Sequence, residues 1–360
     1  SIIFSGRRGE SYILGTPSGF YTYSLTDRKA VSFTPLTIRG GRIEARTYFI
    51  DNEENIWIGT KGSGLFLLGP KDEIRQFYRS GDTGADNITG ISIFGDNIWL
   101  STINGAHIIS RQTSSLKQSH IMNTGLAHNY INQILLLDDG SGYVATNSER
   151  LDRIDPDSGI IKSDLVMSGM LLNKAVSLDI DSRGAVWVAT EGNGVFEFHG
   201  DTVKSLTTAN GLMTNYAYAI LADSNDDIWI SHQQGISRYN PGTGRTKVFS
   251  TGFANGGTCN GGAIYESPDG RIFIGTTQGV IIYDREKDRK SGSAPRNNIN
   301  SVTINDVVYP YRESYSLPYK KRYTVRVSYT GIDFSEPEKV YYSTYLENFD
   351  DDWTAPSPDR

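Results

Sequence analysis

The sequence predicts an all-β protein: a seven-bladed β-propeller of four-stranded blades, followed by a partial immunoglobulin-like β-sandwich. Three observations carry this. A stretch close to Trp-Ile-Gly-Thr returns seven times, each copy sits among short alternating strands and tight turns, and the pattern changes after residue 290.

The copies are "YILGTPSGF" from Tyr12, "IWIGTKGSGLF" from Ile56, "IWLSTINGAHI" from Ile98, "GYVATNSERL" from Gly142, "VWVATEGNGVF" from Val186, "IWISHQQGI" from Ile228 and "IFIGTTQGV" from Ile272. Their fourth core positions are Thr16, Thr60, Thr102, Thr146, Thr190, His232 and Thr276, spaced by 44, 42, 44, 44, 42 and 44 residues. The fifth repeat shows the unit. Ala175 to Asp181 alternates as a strand, Ser182-Arg183-Gly184 turns it, and Val186 to Thr190 returns. Glu191-Gly192-Asn193-Gly194 turns again, then Val195 to Phe198 and Val203 to Thr207 complete four strands.

Alternation along a strand puts Trp57 and Gly59 on one face and Ile58 and Thr60 on the other. Both faces of a blade meet neighbouring blades, so an aromatic beside a small residue lets the sheets interlock. Trp99 with Ser101, Tyr143 with Ala145, Trp187 with Ala189, Trp229 with Ser231 and Phe273 with Gly275 repeat the rule, and Tyr12 or Leu14 stands near Gly15. Burying one such aromatic hides roughly 150–250 Å², a ceiling of about 4–6 kcal/mol. Trp57 is therefore core and no ligand platform.

The propeller is expected over residues 1–290, a linker over 291–298 and the second domain over 299–360. In the last repeat, Ala263 to Ser267, Arg271 to Thr276 and Val280 to Tyr283 read as strands. The run Arg285 to Lys290 is too charged for a fourth, so an outer strand from chain before Ser1 is expected. After the linker, Val302 to Ile304, Tyr323 to Tyr329 and Val340 to Leu346 alternate as sandwich strands. About 65 residues fall short of the ~100 of a complete sandwich, so the domain reads as truncated.

Composition bounds the function. The 360 residues carry 35 basic and 41 acidic groups, a net charge of −6, which argues against a nucleic-acid surface. The 38 Gly and 21 Tyr favour strands and tight turns. A single cysteine, Cys259, allows no intramolecular disulfide or CxxC motif and reads as a buried small residue. No apolar run approaches the ~20 residues of a membrane span. The opening, Ser1 to Phe4 followed by Gly6-Arg7-Arg8, has no signal-peptide pattern and reads as part of something longer.

"DSRGAVWVAT" from Asp181 and, less fully, "DNEENIWIGT" from Asp51 resemble the two-component regulator propeller repeat, D-x-x-G-x-[LI]-W-[IV]-G-T with a Gly-rich turn after it. "FSEPEKVYYSTYLENFDDDW", Phe334 to Trp353, is similar to the Y-Y-Y domain that follows such propellers. Departures are the missing Gly at Asn147 to Arg150, His232 in place of Thr, and the shortened second domain. The resemblance implies the periplasmic sensor region of a hybrid two-component histidine kinase of gut bacteria, an extracytoplasmic part of an inner-membrane protein. It further implies an oligosaccharide ligand, a preceding propeller in the same parent chain, a homodimer in the full-length sensor, and a Y-Y-Y domain relaying the signal to a transmembrane helix and kinase absent here.

Loops joining second to third strands, and fourth strands to the next first strand, share one rim and vary most. They offer Lys61, Asn104, Asn147, Glu149, Arg150, Glu191, Asn193, His232, Gln233 and Gln278, with Arg39, Arg42, Arg46, Tyr130 and Tyr216 from the longer connections. The candidate ligand-binding set is Arg39, Arg46, Lys61, Tyr130, Arg150, Glu191, Tyr216, His232 and Gln233. Amides, guanidinium groups and aromatic faces suit sugar hydroxyls and C–H faces, and the arginines favour acidic or sulfated sugars. Plainer readings compete. Asn129 and Asn215 recur in one loop frame and fix turns, His232 serves equally as a satisfied histidine, the arginines as solvated surface, and Tyr130 and Tyr216 as packing. Tyr341, Tyr342 and Tyr345 read as sandwich core and a corner hydrogen bond. The acidic turns "DNEEN" and "DSNDD" are hairpin turns without EF-hand order, so no metal, and no cofactor, is expected.

A non-catalytic sensor segment is the first reading. The second is a propeller lyase or hydrolase acting on a polysaccharide, which needs a clustered His, Arg and Tyr constellation on the rim with strongly shifted pKa values. The third is a structural propeller that docks another protein, which needs an apolar rim patch.

Overall fold

The computed structural model describes the chain apart from residues 39–40, 71–72, 156–160, 166–172, 201, 251–256, 289–295, 311, 313, 320–321, 333–341, 348–349, 351, 355–356 and 358–360. The chain divides into two compact units, Ser1–Asp284 and Arg285–Arg360.

Within the first unit, six four-stranded antiparallel sheets and one three-stranded sheet follow in chain order. Their first strands are Phe4–Arg8, Ala45–Ile50, Ile88–Phe94, Ile131–Leu136, Ala175–Ile180, Ala219–Ala222 and Cys259–Glu266. Each first strand packs against the first strand of the next sheet, and Cys259–Glu266 packs back against Phe4–Arg8. The sheets thus form a closed ring around an axis, the β-propeller that the repeat predicts. The fifth sheet has Ala175–Ile180, Val186–Thr190, Val195–His199 and Thr202–Leu206, within a residue or two of the sequence reading.

Apolar clusters fill the seams between sheets. Trp57 packs with Ile88, Ile91 and Ile98 of the next sheet, Trp187 with Ile220, Ile228 and Ile230, and Phe273 with Tyr12 and Leu14 where the ring closes. Trp57 is 1% exposed. The small residue beside the aromatic is a packing requirement: a Cβ on Gly59 would lie 2.6 Å from Ile88 Cγ2 and Thr47 Cγ2, and one on Gly15 would lie 2.7 Å from the Tyr48 ring.

Two side-chain devices lock the second strands. In three sheets an aspartate six residues before the tryptophan accepts the indole N–H at the strand's start: Asp51 from Trp57 at 2.8 Å, Asp181 from Trp187 at 2.9 Å and Asp223 from Trp229 at 2.8 Å. The other oxygen of each accepts backbone N–H groups of its own turn, such as Arg183 and Ala185 on Asp181. Burial pushes Asp181 up, but the indole, Arg183 and the Ala185 amide outweigh it and hold the carboxyl below its usual range. At the strand's end, the repeat threonine donates across the turn, Thr60 to Gly64 at 2.6 Å and Thr190 to Gly194 at 2.7 Å. Gly194 has φ +80°, and a Cβ there would lie 2.1 Å from the Leu206 carbonyl oxygen.

The last sheet has three strands, Cys259–Glu266, Ile272–Thr276 and Val280–Tyr283. The N-terminal segment joins the ring seam: the Ile2 amide donates to Thr276 O at 2.8 Å, and Asn260 Nδ2 donates to Ile2 O at 2.6 Å.

In the second unit, Arg296–Ile304 lies between Val307–Tyr309 and Val325–Ile332 in an antiparallel sheet. Its first strand thus starts inside the stretch expected to be linker. Val340 and Tyr341 of the expected third strand lie outside the described residues. Tyr342 pairs in an isolated bridge with Ser357, and its ring lies 5.2 Å from that of Tyr329.

Candidate functional site: the rim-side mouth of the central channel

The first strand of each sheet is an edge strand, so its outward N–H and C=O groups need partners. At three successive seams, from the third sheet to the sixth, they find them on the side chains of the preceding first strand. Thr89 donates to Ile131 O at 2.6 Å and Ser92 to Ile134 O at 2.6 Å. Asn132 donates to Ala175 O at 2.7 Å, and Gln133 both gives to Leu178 O and takes from Leu178 N, each at 2.9 Å. Ser177 accepts from Ile220 N at 3.3 Å and Asp179 from Ala222 N at 2.8 Å. These polar residues, out of place in a buried strand by pattern, are the ties between neighbours around the ring.

The first strands enclose a channel of about 550 Å³. Near their rim ends, the register shifts at one common frame: Ala45/Thr47, Ile88/Gly90, Ile131/Gln133 and Ala175/Ser177, with a wider shift between Cys259 and Ile264. A bulge re-aims the extra residue. Here those residues, Arg46, Thr89, Asn132 and Val176, line the channel with Tyr218 and Gly261. Deeper on the wall is Asp179. Burial outweighs the N–H groups of Ala222 and Ile180 that favour its charged form, and its carboxyl is pushed up to about 6.

The structure brings some expected site residues together. Arg46 donates to Asn87 Oδ1 at 2.6 Å and to the Tyr130 hydroxyl, and its guanidinium lies 5.7 Å from the Tyr130 ring centroid. Glu191 pairs with Lys174 at 3.0 Å and bridges to Tyr216, whose side is open to solvent. Lys61 pairs with Glu44 at 3.3 Å. Arg150 and Gln233 are exposed in their turns. Arg39 lies outside the described residues.

His232 departs from its expected place as a ligand contact. It is 0% exposed, its Nδ1 pairs with Tyr216 O at 2.8 Å and its Nε2 with Ser237 Oγ at 2.9 Å. It fills the position of the repeat threonine with a longer reach, and presents no atom to solvent. Asn129 and Asn215 fix turns, accepting from Met122 N at 2.7 Å and Thr208 N at 2.9 Å over equal spacing. Cys259 is buried, and burial pushes its thiol up to about 11.

Sequence reasoning missed Asn87, Asn132, Tyr218 and Asp179. The signal for Asn132 and Asp179 is present in "INQILL" and "AVSLDI", where polar residues interrupt first strands that are otherwise apolar on the packed faces. It went unread because a strand pattern does not say which edge faces a channel.

No family model matches the chain, and no curated protein matches it. Solved structures share its fold. The extracellular domain of BT3049, assigned to a hybrid two component system of B. thetaiotaomicron, matches with TM-score 0.77 at 18% identity, covering 100% of this chain and 50% of that one. The extracellular domain of BT4673 from the same organism matches with TM-score 0.62 at 17% identity, covering 100% and 53%. Virginiamycin B lyase from Staphylococcus aureus matches with TM-score 0.63 at 15% identity, covering 78% and 93%. The chain spans about half the length of the two B. thetaiotaomicron domains.

Proposed function

We propose that this chain is a ligand-sensing segment from the extracytoplasmic part of a two-component sensor. It binds an oligosaccharide at the rim-side mouth of the propeller channel and passes the change through the second unit toward a membrane helix and a histidine kinase. The likeness to the BT3049 extracellular domain, which runs along the whole chain and so includes both units, carries this reading. The mouth supports it: Arg46, Asn132 and Tyr218 line one concavity and Tyr130 stands against Arg46, so donors, acceptors and aromatic surface lie close together, the mix that sugar recognition uses. In this reading a preceding propeller and a second copy complete the sensor, and ligand must favour one packing of these parts over another, since equal binding to both shifts nothing.

Calorimetric titration of the chain, and of the longer extracytoplasmic region, against neutral and acidic oligosaccharides tests the reading while product formation is followed. Saturable binding without turnover is expected. Silence from both proteins across the panel refutes the sensor.

One observation favours a second reading. The Tyr130 backbone amide donates to His128 Nδ1 at 2.8 Å and the Tyr130 hydroxyl accepts from Arg46, so a His, a Tyr and an Arg stand near one another on the rim, the residue types that a propeller lyase would use. Turnover in the same titration would make the chain an enzyme.

A further inference from the structure

We infer that the channel mouth selects an anionic ligand, a sugar bearing a carboxylate or sulfate, and that Arg46 receives the charged group. This rests on the proposed ligand-binding role of the mouth and adds the ligand's chemistry.

The argument starts from charge pairing. Two other rim cations have carboxylate partners: Lys61 has Glu44 and Lys174 has Glu191. Arg46 is half-buried, and its partners are neutral, the Asn87 amide oxygen and the Tyr130 hydroxyl. Among the described residues no carboxylate stands within ion-pair reach of it. A guanidinium has five N–H donors in a rigid fork, and these two bonds leave the rest of the fork unoccupied. A partly desolvated cation held without a counter-ion is costly in a folded protein, and this one is held in place by a hydrogen bond on each terminal nitrogen and by a ring beneath it.

Placement is the second line. Among the described residues lining the channel, Arg46 is the one cation and Asp179 the one carboxylate, and they belong to the second and fifth sheets of the ring. The bulge after Ala45 sets Arg46 at the rim end of its strand. The chain's net charge is −6, so the cation at the mouth runs against the overall balance. An anion entering from the rim meets the fork first, and Tyr130 offers a ring to the sugar's C–H face beside it.

The test titrates the protein with digalacturonic acid, with a digalactose carrying a 6-sulfate, and with neutral digalactose of the same linkage. An acidic probe is expected to bind at least 10-fold more tightly than the neutral one, with affinity falling as salt rises. Carboxylate and sulfate arms tell which group the fork prefers. Arg46→Gln is expected to weaken the acidic probe by about 10- to 100-fold, the range of a charge-assisted pair, and to weaken the neutral probe by clearly less. Thermal unfolding checks that the variant folds, and the salt dependence of the unaltered protein tests the idea without any variant. Equal binding of neutral and acidic probes, or indifference to Arg46→Gln, overturns the inference and leaves the sensor standing. Failure of all three probes overturns it, and then only the wider panel decides the sensor.

Discussion

Replacing Asp179 by Asn should make the protein's stability less dependent on pH, and the structure gives the size of the effect. The carboxyl lines the channel, accepts Ala222 N and Ile180 N, and feels the like charge of Asp181. Burial dominates, so its folded pKa of about 6 stands above the unfolded value of 3.8. Between these values the unfolded chain releases its proton while the folded one keeps it. Folding stability is therefore highest below the unfolded pKa, is lost as pH rises through the window, and is level above about 6. Two pKa units at 1.36 kcal/mol each, with the unfolded group already half titrated at pH 4, leave a loss of roughly 2 kcal/mol between pH 4 and pH 7.5. Asparagine stays neutral throughout. The variant is expected to gain about 2 kcal/mol on the native protein over that range, read as the change in their stability difference from urea unfolding at the two pH values. A difference that does not move with pH refutes the raised carboxyl. A difference of opposite sign shows that the two backbone amides, and not burial, decide its charge.

His232→Thr restores the repeat residue. Burial holds His232 below its ordinary value against the opposing bond to Tyr216 O, so its stabilisation is complete above the unfolded pKa and is lost as pH falls from there toward the folded one. The variant should lose less thermal stability than the native protein between pH 7.5 and pH 5.5; His107 and His120, also depressed by burial, cancel in the comparison. An equal loss in both proteins removes His232 as the cause. Gly59→Ala should cost about 1–3 kcal/mol in chemical unfolding, because the new Cβ would overlap two stiff β-branched side chains, Ile88 and Thr47. Gly69→Ala, with nothing within 4 Å of the added atom, is the control and should stay within about 0.5 kcal/mol. Equal effects would show that the sheets do not interlock at Gly59.

The ring was legible in the sequence because its repeats make similar local demands. An aromatic beside a small residue, in most repeats a threonine closing the next turn, and in three an aspartate that caps its turn and the indole are short-range requirements, so they recur in the chain at a fixed period. Those features determined strands, turns and the identity of the core, Trp57 and Trp187 included. Rim loops were legible only as departures from the period. That signal placed Arg46 and Tyr130 among the candidates, but it could not join them, since they stand 84 residues apart and meet through ring closure. It also set His232 among them, because a residue that replaces threonine looks the same in sequence whether it turns outward or inward. Only the tertiary structure decided that the polar side chains of first strands tie one sheet to the next, that four bulges fall in one frame, and that Asp179 stands on a channel wall. Pairing within a blade is set by neighbours in the chain. The channel, its mouth and the lone guanidinium there arise from surfaces that become neighbours only when the last sheet meets the first.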